Sequence, residues 1–573
     1  MAKAPVGKKI KKKVLSAKEK ADAKLQGDHR KFVRSVIQGV GFNRATGLSD
    51  KEFTFDNQTS DFDDIFVYEN LILLAEYTTS QSSAVGGHLK NKKIIYDKII
   101  ANPVGFIDFL KEKFPKSVDQ FPKGYHKTKL VVKILYCSRF DFDGHHRENI
   151  NQISYLNYSE LRYFVSVVAA IKRSARFEFI HFLGLDLKQI GENGSLDISS
   201  SSKDYHGSIL PEAHSNFDDG YKVVSFYADP DVLLRTSYVL RADGWRDSLN
   251  VYQRMISRAK VEGIRAYLKK EKRVFINNII VTLPSDVKPL DVDNNTIDAK
   301  GLIDTAPVKI KLPSKPNSVG LIDGQHRVFA YYESEKDDVE IAALRKQQNL
   351  LVTGIIYPVG MQAIAREKFE AKLFLEINSN QTSANSTLKQ AIGMVLDPFS
   401  NESIAARTLA GLARTGPLAG YIQQYFYDTD KLKTTSIVSY GLRPLVKTKG
   451  QDSIFKIWSH ASKEDVSSQS NDEALEEYVK YCVSVINIML GAVKSRVGSA
   501  RWVTDKKVDG YILTTTYINS ILIVLRMLIE NDKDISFDAL SKNLVGLEKF
   551  DFSQYRSSQY NAMAIKIVET YFK

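Results

Sequence analysis

The hydrophobic positions along this chain change period several times, and each change marks an expected element. Between His29 and Gly41, Phe32, Val33, Val36, Ile37 and Val40 recur at three- and four-residue intervals. That spacing predicts a helix face that stops in the Gly39/Gly41 region. From Asp61 to Thr78 the pattern turns to two short strands joined at Glu69-Asn70, the second strongly apolar and expected to be buried. A helix is predicted over His88–Ile100, a strand over Leu130–Tyr136, and helices over Ser159–Arg173 and Ala175–Leu183. Asn193 to Gly220, rich in Ser, Gly, Asp and Asn, reads as a linker. Beyond it the pattern predicts a helix over Met255–Leu268, a strand in Phe275–Leu283, and a strand at Val319–Asp323 that turns into a helix. Glu473–Val493 and Thr514–Ile529 carry the three- and four-residue spacing of packed helices. The expected class is α/β (α+β), with an arm over residues 1–27, a mixed-sheet domain over 28–192, a linker over 193–220, an α/β domain over 221–400 and a helical region over 401–573.

A chain of 573 residues is long for one core, so two to four domains are expected. With 43% hydrophobic and 26% charged residues it has the composition of a soluble globular protein. The net charge of +13 and pI near 9.2 favour a polyanionic partner, nucleic acid first. Much of that excess lies in Met1–Lys24, read as a flexible basic arm that either neutralises DNA phosphates or only keeps the chain soluble. The two cysteines, Cys137 and Cys482, have no partner spacing, which excludes a disulfide framework and a cysteine zinc site and points to reducing cytoplasm. No apolar run reaches the length of a bilayer and no secretory signal is recognisable, so no membrane partner is expected. Asp141, Asp143, His145 and His146 are crowded together, but adjacent histidines diverge on most backbones, and an Asp-Gly turn accounts for them without a metal. Ser499-Ala500-Arg501-Trp502 with Lys506 and Lys507 reads as a charged loop beside a buried tryptophan.

Chemistry enters with Val319-Gly-Leu-Ile-Asp323-Gly324-Gln325-His326-Arg327, a hydrophobic strand running into a turn and then a helix. Gly324 gives the turn its freedom, and the helix start offers unpaired N–H groups to an anion. Arg327 can add a forked contact to phosphate, Gln325 and His326 can orient water or a proton, and Asp323 can hold a metal or fix a neighbouring side chain. A plain strand-to-helix corner would use the same residues. The segment resembles the signature of the DGQHR-domain family, which belongs with ParB-like and DUF262-like proteins and includes the B component of DNA phosphorothioation clusters. Val251-Tyr252-Gln253-Arg254 upstream and Phe374-Leu-Glu-Ile-Asn378-Ser-Asn380-Gln381 downstream look like further family blocks. The resemblance implies binding, and in several relatives hydrolysis, of a nucleoside triphosphate with magnesium, in DNA modification or antiphage defence alongside partner proteins. It also implies an oligomer. Gln253 and Arg254, at the head of the expected helix, would face the same phosphates as Arg327, and Asn378, Asn380 and Gln381 would contact base, ribose or metal-bound water. No Walker A sequence occurs, so any turnover would not be of the P-loop kind.

The order near the start, helix, hairpin with an acidic beginning, buried strand ending in an acid, helix, resembles the PD-(D/E)xK nuclease core. In that core an Asp and a Glu bind magnesium and a lysine two residues after the Glu helps activate water. Here Asp64 and Glu76 would be the acids, but Thr78 stands at the lysine position. Lys90 or Lys92 of the next helix can supply the amine, or the site is inactive. Three readings follow: a nucleotide hydrolase acting on DNA, a DNA-binding regulator or scaffold without turnover, and a magnesium-dependent DNA nuclease.

Overall fold

The computed structural model describes residues 16–80, 82–140, 144–186, 189–191, 203–241, 245, 253, 255–313, 316–379, 390, 392–394, 396–424, 428 and 430–572. They form two compact units, one running to Val239 and resuming over Ile256–Val359, the other made of Leu240–Met255 and Gly360 onward.

The first unit opens with helix α1 (Ala17–Gly39), which begins well before the expected His29 and takes in part of the expected arm. Ser16 is the reason. Its hydroxyl accepts from the Glu19 backbone N–H while the Glu19 carboxylate accepts from the Ser16 N–H, a capping box that satisfies two orphan donors. Strands β1 (Asn43–Arg44), β2 (Asp64–Tyr68) and β3 (Leu71–Thr78) follow as an antiparallel meander. Glu69 takes φ +49° at the β2–β3 turn. Asn70 stitches that turn down, donating to the carbonyls of Lys129 (2.6 Å) and Gln189 (2.8 Å). Helices α2 (Ser82–Ala101) and α3 (Pro103–Lys113) cross over to β4 (Val131–Ser138), parallel to β3, and β5 (Ser154–Leu156) extends the sheet in parallel. Helices α4 (Tyr158–Ile171) and α5 (Arg176–Phe182) complete this half. Strand alternation sends Ile72, Leu74, Ile134 and Tyr136 into a core with Leu89, Ile95, Tyr96, Ile99 and Phe106 of α2 and α3. The opposite face lies under α1, where His29 Nε2 is 3.1 Å from the Cys137 carbonyl.

The same unit holds an eight-stranded mixed sheet. Its elements are β6 (Asp204–Ile209), β7 (Lys222–Ala228), α6 (Pro230–Thr236), β8 (Ser237–Tyr238), α7 (Arg258–Glu271), β9 (Ile279–Leu283), β10 (Pro289–Leu290), β11 (Ala306–Lys311), β12 (Val319–Asp323), α8 (Gln325–Phe329), α9 (Val339–Gln347) and β13 (Leu350–Ile356). The strand order is β8-β12-β9-β13-β7-β6-β11-β10. Strand β6 lies inside the expected linker. Its polar residues disguise it, but Tyr205 and Ile209 are buried and the strand pairs with both β7 and β11. Residues 193–202 of that stretch lie outside the described residues. The five-stranded and eight-stranded halves of this unit are tied together at Glu333, which accepts from Arg176 Nη2 (3.3 Å), while its backbone accepts from Arg173 N–H (3.0 Å) and donates to Ser174 Oγ (2.9 Å).

The second unit is helical, as expected for the C-terminal region, with α10 (Ala363–Ser379), α11 (Asn401–Arg414), α12 (Asp472–Val497), α13 (Thr515–Glu530) and α14 (Tyr560–Tyr571) as its longer elements. Trp502 is fully buried and donates from Nε1 to the Pro417 carbonyl (2.8 Å), while Arg501 donates to the carbonyls of Gly510 and Glu548. That arrangement matches the charged loop beside a buried tryptophan. Among the described residues no helix is long and apolar enough to cross a membrane.

Candidate active site

The hairpin register decides which acids can cooperate. Asp64 pairs with Ala75 and Tyr68 with Leu71, so Asp64 shares a sheet face with Ala75 and Tyr77, and Glu76 points to the other. The expected pair of Asp64 and Glu76 on one magnesium ion is therefore corrected: the two carboxylates lie on opposite faces of the sheet.

On the α1 face Asp64 is fully buried. Arg34 donates to it from Nε (2.7 Å) and Nη2 (3.1 Å), Arg44 donates from Nε, and the Tyr77 hydroxyl donates at 2.7 Å. Burial works to raise its pKa, but the bonds from Arg34, Tyr77 and Arg44 outweigh it and hold the carboxyl below its ordinary value. Asp63, at the mouth of β2, accepts from the Tyr77 backbone N–H (2.7 Å) and from Arg30, and burial raises its pKa. Four donors from three side chains fill the acceptor sites of Asp64.

On the α2 face Glu76 is only 3% exposed, and Lys92 Nζ donates to its Oε1 at 2.7 Å. The same ammonium donates to Asp61 Oδ1 (2.9 Å) and to the Asp61 backbone carbonyl (2.8 Å). Three oxygens thus converge on one cation. Of the two lysines expected near Glu76, Lys92 brings its amine to the carboxylate, whereas Lys90 faces solvent. Burial pushes the Glu76 carboxyl up to about 8 against the pull of Lys92. Glu76 pairs in register with Tyr136 on β4, and Tyr136 with Tyr155 on β5, so a row of polar groups crosses three strands. His88 Nδ1 lies 2.9 Å from the Tyr136 hydroxyl, and burial, then Lys92, lower the His88 pKa. Asp61, Lys92, His88, Tyr136 and Glu76 form the most chemically capable cluster of this half, and only Glu76 and Lys92 belong to the expected set.

The Asp323–Arg327 corner has the predicted strand-turn-helix form. Gly324 sits at φ +102°, and a Cβ there would come within 2.6 Å of Ile279 Cδ1 and 3.2 Å of Arg327 Nη2. Only glycine allows both the turn and the path of the guanidinium. Two expectations are corrected. The helix α8 has five residues, too few for aligned dipoles to accumulate, and the Arg327 and Val328 N–H groups already donate to the Gly324 carbonyl. Arg327 is turned inward: Nη2 donates to Asp323 Oδ2 (2.8 Å) and to the Asn278 carbonyl (2.8 Å). His326 Nε2 accepts from the Ser257 N–H (3.0 Å), and Gln325 is buried.

The helix expected from Met255 starts at Arg258, capped by Ser257, so Gln253 does not head it. Gln253 N–H instead donates to the Leu240 carbonyl (2.8 Å) within the second unit. Asn378, also of the second unit, sits within α10 and not in a loop, its Nδ2 donating to the Phe374 carbonyl (2.9 Å) one turn back. Arg254, Asn380, Gln381, Asp141 and Asp143 lie outside the described residues. Neither a family model, nor a curated protein, nor a solved structure matches the chain.

Proposed function

We propose that this protein hydrolyses phosphodiester bonds of DNA with magnesium, using the α2 face of its first sheet. The observation that carries the reading is the Lys92 ammonium held by two oxygens of Asp61 and one of Glu76. Two carboxylates and a carbonyl are the hard donors that magnesium takes, with water and phosphate completing its shell. Among the described residues no group of three or more His, Cys, Asp or Glu side chains is placed to hold a metal, so Asp61 and Glu76 would share the ion with substrate oxygens. Magnesium supplies charge stabilisation at phosphorus and a more acidic water. Lys92, once released from the carboxylates, neutralises the attacked phosphate and orients the nucleophile. His88, kept neutral by burial and by Lys92, is available to accept a proton. The net charge of +13 suits a DNA substrate.

The test is nicking of supercoiled plasmid in magnesium by the full chain, beside Glu76→Gln and Lys92→Met. The reading expects both variants to lose cleavage while still folding, and nicking that persists in Glu76→Gln or in chelator would refute it.

A second reading places a nucleoside triphosphate at the Asp323–Arg327 corner. Arg327 Nε and Asn278 Oδ1 are buried there without a hydrogen-bond partner among the described residues. A nucleotide would have to draw Arg327 away from Asp323. Nucleotide turnover would then gate engagement of DNA in a modification or antiphage-defence system with partner proteins. Phosphate release from each NTP, lost in Arg327→Ala, would support it; equal release from that variant would remove it.

A further inference from the structure

Tyr96 lies one helical turn after Lys92 on α2 and is fully buried. Its ring stacks on Phe62 with centroids 6.3 Å apart and planes 18° from parallel, and Lys92 Nζ stands 5.9 Å above that same Phe62 ring. Phe62 is thus shared between the ammonium and the phenol. The Tyr96 hydroxyl has no hydrogen-bond partner among the described residues. A buried hydroxyl left unpaired forfeits its hydration without a replacement bond, so the fold carries it at a loss unless it is used. After burial, Glu76, Tyr136, Tyr155 and Asp63 oppose its ionisation, which keeps it a hydrogen-bond donor.

Resting on the phosphodiesterase reading, we propose that Tyr96 is a positioning residue for the divalent cation: its hydroxyl donates to the Glu76 carboxylate when a metal ion takes the place of Lys92. In the present arrangement Lys92 holds Glu76 Oε1 and Asp61 together. A metal ion in place of Lys92 would remove a donor from this buried carboxylate, and Tyr96, one turn along α2 and packed on the same Phe62 ring as Lys92, carries an unpaired donor. The same phenol then fixes the carboxylate orientation that the ion needs, as outer hydrogen bonds do for metal ligands generally.

The test uses the full chain with manganese or magnesium alone. Tyr96→Phe keeps the ring and its stacking and removes only the hydroxyl. Manganese affinity, measured by titration calorimetry, is expected to fall about tenfold, the worth of a hydrogen bond to a charged group. The unfolding midpoint without metal is expected to hold or rise, because an unpaired polar group has been removed. A near-ultraviolet tyrosine difference signal induced by magnesium is expected in the wild type and absent in the variant. Unchanged affinity in Tyr96→Phe, while the wild type binds and Glu76→Gln does not, would overturn the inference and leave the phosphodiesterase reading standing. A lower midpoint without metal would also overturn it, because it would mark the hydroxyl as a structural donor. If the wild type binds no divalent ion, the phosphodiesterase reading itself fails.

Discussion

At Asp64 two guanidinium groups and a phenol surround one fully buried carboxylate. Removing its charge would strand Arg34 and Arg44 beside a neutral group. Asp64→Asn is therefore expected to lower the unfolding free energy by about 3–5 kcal/mol, the scale for breaking a buried ion pair. Urea denaturation checks this, and a change below about 1 kcal/mol would mean that solvent screens the cluster. His29, 1% exposed on the same face, gives a pH test. Its Nε2 must carry the proton that meets the Cys137 carbonyl, and burial lowers its pKa to about 4. Between pH 6.5 and 4 the unfolded chain binds a proton that the folded protein refuses. The contribution is thus complete above 6.5 and is lost as pH falls toward 4, on the order of 3 kcal/mol. His29→Gln is expected to flatten that part of the stability profile; an unchanged slope would assign the loss to carboxylates.

At the scale of elements, the first sheet was readable because its strands are continuous apolar runs and its turn at Glu69-Asn70 is marked by polar residues. That turn also contained the register. With Tyr68 opposite Leu71, Asp64 must meet Ala75, and the parity that separates it from Glu76 follows without a structure. What the sequence could not give was Asp61, meeting Lys92 from the segment before β2, or the Phe62 stack, since both depend on how α2 lies across the sheet. Strand β6 escaped because its burial pattern rests on only two large residues among polar ones. The corner at Gly324 was legible in form, but the inward turn of Arg327 was not, because it depends on the Asn278 carbonyl brought in by β9. Gly324→Ala is expected to destabilise this corner by at least about 1–2 kcal/mol through strain at positive φ, with added cost from the 2.6 Å approach to Ile279. Thermal unfolding measures it, and a neutral outcome would show that the β12–α8 turn can relax.

For the whole molecule, the five-stranded and eight-stranded sheets share one compact unit, so the sheet that carries Glu76 and the Asp323–Arg327 corner belong to one unit. The chain has six lysines and no acid in its first fifteen residues, nearly half of the net charge of +13. If these lysines neutralise DNA phosphates, deleting them is expected to flatten the dependence of log affinity on log salt by about 0.9 for each phosphate they had covered. An unchanged slope, measured by fluorescence anisotropy, would move DNA binding to the folded surface. The central claim is that the reacting centre lies at Asp61, Glu76 and Lys92. Asp61 is the member whose replacement least disturbs the fold, its side chain being 59% exposed. The most direct measurement is the single-turnover rate of magnesium-dependent cleavage of a labelled DNA duplex by the wild type and by Asp61→Asn. A fall of roughly 100-fold with an unchanged unfolding midpoint is the expected result; equal rates in the two proteins, or no magnesium-dependent cleavage by the wild type, would contradict it.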